Sequence, residues 1–366
     1  MLRTRVFALL SATLLGAALS GCTGTEEGLS TLRLALLTEG GAALRSVDTS
    51  PTEGTSALSA PIALAEPLGP GRDLHTVNSG RTLLVTRRGG VEARDADLEG
   101  EPRPFAALPP TFTPCLTQSA LNAARTRLLT LSECPNDAGQ FLALYAADGA
   151  LIWTATLRTF TPPVGADTPP TRLAVVGDVG IVARAALGGG SEVIRAAPRG
   201  SGDPERDRVA VVSDPLRTVP IRDLANFGAS VYAATDSGVR PLLATGEPNL
   251  TAELPAFGNA RYDRLWDGVI GGRNLLFAWR DNALTLNGAE ELRVWDGAAT
   301  TLRTVDLLGD LRDLTLAPDG NLYALAGGSL RRYDVVLGLE GSNWQRTTLL
   351  SDPALADARA LTWLVP

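Results

Sequence analysis

Lysine is absent from this 366-residue sequence, histidine occurs once, at His75, and cysteine three times, at Cys22, Cys115 and Cys134. Without lysine there is no amine nucleophile or Schiff base, and a single imidazole excludes a multi-histidine metal centre. No GxSxG, HExxH or CxxC stands anywhere in the chain. The Gly188-Gly189-Gly190 run lacks the following Lys-Ser/Thr and helix of a phosphate cradle, so it reads as a loop. No catalytic residue, metal site or cofactor is therefore assigned. Arginine supplies all 33 basic side chains against 40 acidic ones, and the net charge of −7 disfavours nucleic acid as a partner.

What is present begins at the N-terminus. Arg3 and Arg5 precede an apolar run from Val6 to Leu19, which falls short of the ~20 residues of a bilayer-spanning helix and matches a secretory signal. At its end Leu19-Ser20-Gly21-Cys22 resembles the lipobox of bacterial lipoproteins. That resemblance implies that residues 1–21 are a signal peptide and that Cys22 becomes an acylated N-terminus. The exported protein would then be held on the cell membrane by lipid. Thr23, where an aspartate would retain the protein, implies the outer membrane if the cell has one. Removal of Arg3 and Arg5 leaves 31 basic against 40 acidic side chains, a charge of −9. Residues 22–30 then make a short linker, and its stretch from Thr23 to Ser30 reaches about 28 Å at most, which keeps the folded part near the bilayer.

With Cys22 committed to lipid, Cys115 and Cys134 form an even pair in an oxidising compartment. Leu116 to Asn122 and Thr126 to Ser132 read as a hairpin with both cysteines at its open end, nearly opposite each other. A disulfide is expected, with two free buried thiols or a metal pair as alternatives.

From residue 73 to 365, short alternating or β-branched runs are punctuated by Gly, Pro, Asp and Asn, the pattern of an all-β chain. Arg72-Asp73-Leu74, Arg222-Asp223-Leu224 and Arg312-Asp313-Leu314 each open a strand followed by a turn and a second strand. The clearest copy is Arg312 to Leu325, where Asp319-Gly320 supplies the tight connection. Weaker copies start near Gln118, Thr171, Arg264 and Arg359, so that successive starts lie 42 to 53 residues apart. One four-stranded propeller blade takes about 40–50 residues. The start at Arg359 has too little chain after it for a blade, so its missing strands are expected from Thr31 to Thr38, Ala42 to Thr49 and Ala60 to Ala65. The expectation is a single domain over residues 31–366, a seven-bladed β-propeller whose closing blade joins an innermost C-terminal strand to three N-terminal ones. Six or eight blades also fit the spacing.

Leu314 to Leu325 resembles the strand-turn-strand unit of NHL-, YncE- and WD40-like propellers, and Phe141 to Thr154 resembles one PQQ-type propeller repeat. The PQQ-like group includes the propeller lipoprotein of the outer-membrane β-barrel assembly machine, which shares the anchor and the architecture. Here the Asp-Gly-x-x-x-Trp element occurs in one repeat alone, at Asp148 to Trp153.

His75 falls two residues after Asp73 on an innermost strand and so can face the central channel. It is a general base or, in the preferred reading, a hydrogen-bonded polar group lining a wet tunnel. The pairs Arg72-Asp73, Arg222-Asp223 and Arg312-Asp313, with Asp263-Arg264 in reversed order, recur at one place near the channel mouth. They form either a charged ring that grips an anionic or peptide ligand, or a structural device. In the structural case the aspartates accept backbone N–H groups and the arginines bridge blades, and the repetition favours it. Asp95-Ala96-Asp97-Leu98-Glu99 lacks the glycine and terminal glutamate of a calcium loop and reads as a solvated turn. Of the six tryptophans, Trp153, Trp295 and Trp344 sit in apolar strand patterns and are expected between blades.

These features favour a lipid-anchored, non-enzymatic binding or scaffolding protein of the cell envelope, facing an exported or membrane-held protein partner. The alternative is a propeller enzyme of lactonase or dehydrogenase type with substrate in the central channel.

Overall fold

The computed structural model describes residues 32–49, 57–64, 66–106, 114–135, 139–163, 165, 167–252, 254–281, 288–298 and 303–366. The signal segment, Cys22 and the linker expected from the sequence lie outside the described residues. Among the described residues, no helix is long and apolar enough to cross a membrane.

Seven antiparallel sheets stand in a ring. Blade 1 comprises Gly71–Val77, Thr82–Arg87, Gly90–Asp95 and Arg103–Pro104, and blade 2 comprises Leu116–Leu121, Arg127–Glu133, Gln140–Ala146 and Leu151–Leu157. Blades 3 to 6 open with innermost strands Arg172–Val176, Ile221–Phe227, Arg264–Ile270 and Leu311–Leu316. Blade 7 pairs Ala360–Leu364 with Arg33–Thr38, then Ala43–Asp48, then Ile62–Ala63. Its register runs Leu34 against Trp363 and Leu36 against Leu361, so the two ends of the chain close the ring in one sheet. Each innermost strand touches the next in order, and Ala360–Leu364 touches Gly71–Val77 to complete the circle.

Two blades depart from four strands, and proline accounts for the first. In blade 3 the third strand, Ser191–Ala197, pairs with Val211–Val212 near one end and Leu216–Thr218 at the other. Pro215 cannot donate to a ladder, so it splits one outer strand into two. Blade 4 has three strands among the described residues, ending with Gly238–Pro241. Trp344 corrects the sequence reading. It lies in the loop after the helix Val335–Gly341 rather than in a strand, and its ring lies so close to Gly338 that a Cβ there would meet it at 2.2 Å.

The core is distributed between blades. Successive residues of a strand point to opposite faces, and here each face meets a neighbouring blade instead of water. In Asn321–Ala326, Leu322, Ala324 and Ala326 pack with blade 5 while Tyr323 and Leu325 pack with blade 7. Arg33–Thr38 divides likewise, Leu34 and Leu36 towards blade 6, Ala35 and Leu37 towards blade 1. Seven apolar clusters result, one at each blade-to-blade junction. This explains the near-continuous apolar strands, since each fully buried Leu contributes about 1.5–3 kcal/mol of transfer free energy. Trp153 is buried in the junction of blades 2 and 3, and Trp295 in that of blades 4 and 5.

At the open end of the blade 2 hairpin, Cys115 and Cys134 are joined in a disulfide with Cα atoms 5.0 Å apart.

Candidate functional site

The innermost strands of blades 1, 2, 4 and 6 begin with the same irregularity. Their pairing skips one residue, respectively Arg72, Thr117, Arg222 and Arg312. A bulge of this kind re-aims side chains, and here it separates the two members of each Arg-Asp pair. Asp73, Asp223 and Asp313 line the central channel, whereas Arg72, Arg222 and Arg312 do not. In the reversed pair it is Arg264 that lines the channel and Asp263 that stays outside. The second member of each pair therefore faces the channel whatever its charge.

The channel aspartates are tied to the next blade. Asp73 Oδ2 accepts the backbone N–H of Ser119 at 2.7 Å, Asp223 Oδ2 that of Leu265 at 3.0 Å, and Asp313 Oδ2 that of Leu361 at 2.7 Å. Where blade 2 has Gln118 in place of aspartate, its Nε2 donates to Thr171 O at 2.7 Å. Arg172 reaches Asp223 at 2.9 Å, Arg264 Nη2 donates to Arg312 O at 3.2 Å, and Thr76 and Thr362 share a 2.6 Å hydrogen bond. Polar bonds thus join every adjacent pair of blades at or beside their innermost strands. Outside the channel, Arg222 pairs with Asp236 and Asp167, and Arg261 bridges Asp167, Asp236 and Asp263. Arg312 pairs with Asp310 and donates to Ala358 O in the approach to blade 7. The Nε of Arg72 is buried without a hydrogen-bond partner among the described residues. Asp95, from the acidic turn, pairs with Arg103.

The channel encloses a cavity of about 410 Å³. On one wall His75 Nε2 stands 2.8 Å from Ser119 Oγ, which also lies 2.7 Å from Thr86 Oγ1 and 3.1 Å from Asp73 Oδ2. Burial, reinforced by the Arg125 charge, lowers the His75 pKa to about 4, so the ring is neutral at neutral pH. Burial raises Asp73 to about 6 against the opposing bonds from Ser119. A serine hydroxyl has one proton and three neighbours here. Its aspartate sits on the serine instead of orienting the imidazole, the reverse of a hydrolytic triad. The arrangement serves to hold blades 1 and 2 together.

Sequence reasoning missed the charged groups deeper in the channel. The turn after Leu116–Leu121 is locked by Asn122, whose Oδ1 accepts the N–H groups of Thr126 and Arg127. It carries Arg125 at φ 55°, a left-handed conformation that disfavours residues with a Cβ. Arg125 thereby enters the channel, donates through Nη1 to Thr76 O at 3.2 Å, and lies 4.8 Å over the Trp363 ring. Nearby, Asn226 Nδ2 of blade 4 reaches Leu121 O of blade 2, narrowing the channel where the innermost strands end. Asp267 of blade 5 is exposed to the solvent of the channel, with protein packed around that space. Burial raises its carboxyl to about 6, opposed by the Arg125 charge and backbone N–H bonds. Trp266 stands at the blade 5 position matching His75, with Nε1 donating to Asp313 at 3.0 Å. Its strand spacing, two after Arg264, is the signal that was available. Arg125 comes from a turn and carries no such signal.

No protein-family model matches this chain, and no curated protein sequence matches it. Solved structures do match in shape. A functionally unknown protein from Desulfotomaculum acetoxidans shares 11% identity at a TM-score of 0.57, over 92% of this chain and 100% of its own. A candidate 6-phosphogluconolactonase from Bacteroides uniformis shares 14% at 0.55, over 92% and 100%. AztD from Citrobacter koseri shares 12% at 0.53, over 88% and 82%. At such identities the likeness is one of fold, and the fold is the seven-bladed β-propeller.

Proposed function

We propose that this chain is an exported, lipid-tethered binding protein of the cell envelope that holds its ligand in the central channel. The observation that carries the binding role is the set of unspent charges in that cavity. Arg125, Asp267 and Arg359 line it and make no ion pair with any described residue, while the other channel carboxylates are engaged between blades. Charges left open inside a concave site are available to a complementary ligand. The envelope address rests on Leu19-Ser20-Gly21-Cys22 and the apolar run before it.

Membrane fractionation and native mass spectrometry test the two halves. Cys22→Ser protein is expected to leave the membrane fraction with its propeller intact. Detergent-extracted wild type is expected to carry a small molecule that the Arg125→Ala/Asp267→Asn double variant lacks. Firm membrane binding of Cys22→Ser would overturn the tether, and equal ligand content in both proteins would overturn the channel site.

An enzymatic reading has one observation in its favour, the 2.8 Å contact of His75 with Ser119. It requires hydrolysis of short esters or lactones that Ser119→Ala abolishes. On the binding reading, wild type and Ser119→Ala are equally inert.

A further inference from the structure

We propose that the channel site takes a small zwitterion of the α-amino-acid kind, its carboxylate on Arg125 and its ammonium on Asp267. The inference deepens the binding role proposed above and rests on it.

Past the mouth lined by Arg359, one free cation and one free anion stand on separate blades. Arg125 has five N–H donors, and its hydrogen bond to Thr76 O uses one of them while its face rests on Trp363. The remaining donors suit a carboxylate, for which the planar guanidinium fork is shaped. Asp267 feels the Arg125 charge, yet no ion pair within 4.0 Å joins them. The two charges therefore face a common space without neutralising each other, and a ligand bearing both signs can engage both.

The surrounding groups restrict the choice further. His75 is neutral, and Thr315 and Thr362 add uncharged polar atoms to the lining. Asp73, Asp223 and Asp313 are committed to backbone N–H groups of the following blades. A simple anion would pair with Arg125 and leave Asp267 facing added negative charge. A simple cation would do the opposite. Discrimination against both arises because each leaves one channel charge unpaired beside the bound ligand. Arg359 is the other unpaired cation of the lining, but it lies before Ala360–Leu364, at the mouth where the innermost strands begin, whereas Arg125 follows the end of one.

The test is calorimetric titration of full-length, detergent-solubilised protein with the common L-amino acids one at a time, then with the α-amide and the des-amino analogue of each binder. An amino acid is expected to bind, and loss of either charged group is expected to weaken binding at least about tenfold, equivalent to 1.4 kcal/mol. Arg125→Ala should bind acid and amide alike, and Asp267→Asn should bind the amino acid and its des-amino analogue alike. The inference is overturned if an analogue lacking one charge binds as well as its parent, or if no amino acid binds to protein with intact circular dichroism. Mass-spectrometric detection of a channel ligand without the zwitterion would sink this inference and leave the binding role standing. An empty, unresponsive channel would sink both.

Discussion

Asp313 Oδ2 accepts the backbone N–H of Leu361 at 2.7 Å, so a blade 6 side chain holds the strand that closes the ring. Its other oxygen accepts from Leu314 N and Trp266 Nε1. Asp313→Ala orphans these donors and is expected to lower stability by about 1–3 kcal/mol. Asp313→Asn keeps an acceptor oxygen and should lose less. Urea unfolding of the two variants decides, and an alanine variant as stable as wild type would remove the inter-blade role.

The Cys115–Cys134 disulfide closes a loop with a sequence separation of 19 residues. Replacing both cysteines by serine is expected to cost about 2–4 kcal/mol, chiefly by releasing the unfolded chain. Reducing agent should destabilise wild type by the same amount and leave the double variant unchanged. A reductant-insensitive wild type would contradict the bond.

Gly149 turns the chain between two strands of blade 2 at φ 88°, and a Cβ there would sit 1.9 Å from Phe105 O of the preceding blade. Both the backbone conformation and the close approach require glycine. Gly149→Ala is expected to cost about 2–4 kcal/mol. A melting temperature within error of wild type would show that the two blades can separate there freely.

Two channel groups shift in opposite senses, and their pH signatures differ in sign. Asp267 rises from 3.8 to about 6 in the folded protein, so folding retains its proton and is favoured at low pH. Wild type should lose stability relative to Asp267→Asn as pH rises from about 4 to 6, with no further change above. His75 falls from 6.5 to about 4, so the unfolded chain binds that proton more readily. Wild type should lose stability relative to His75→Gln as pH falls from about 6.5 to 4. Melting curves across this range test both, and parallel curves for wild type and variant would show the group titrating normally.

The ring was legible because its units repeat. Each strand start read from the sequence lies within two residues of an observed innermost strand, and the N-terminal runs fall where blade 7 needs them. Blades 3 and 4 were less legible, since Pro215 breaks an outer strand and the chain after Pro241 adds none among the described residues. At the channel, the repeated Arg-Asp pairs marked the right strands but not which member faces inward, because strand register decides that and leaves no mark in composition. Arg125 was invisible for another reason. It reaches the channel through a strained turn position, and Trp266 and Asp267 became meaningful only once strand register placed them across from it.

Closure through Ala360–Leu364 also sets the order of events during synthesis. Until Ala360–Leu364 has left the ribosome, Arg33–Thr38 keeps an open edge and blades 6 and 1 lack the innermost strand that lies between them. A nascent chain in that state is the one most prone to pair with a neighbour. Its protection must come from staying unfolded until that strand is made or from a chaperone, and a chain without Ala360–Leu364 would never leave that vulnerable stage.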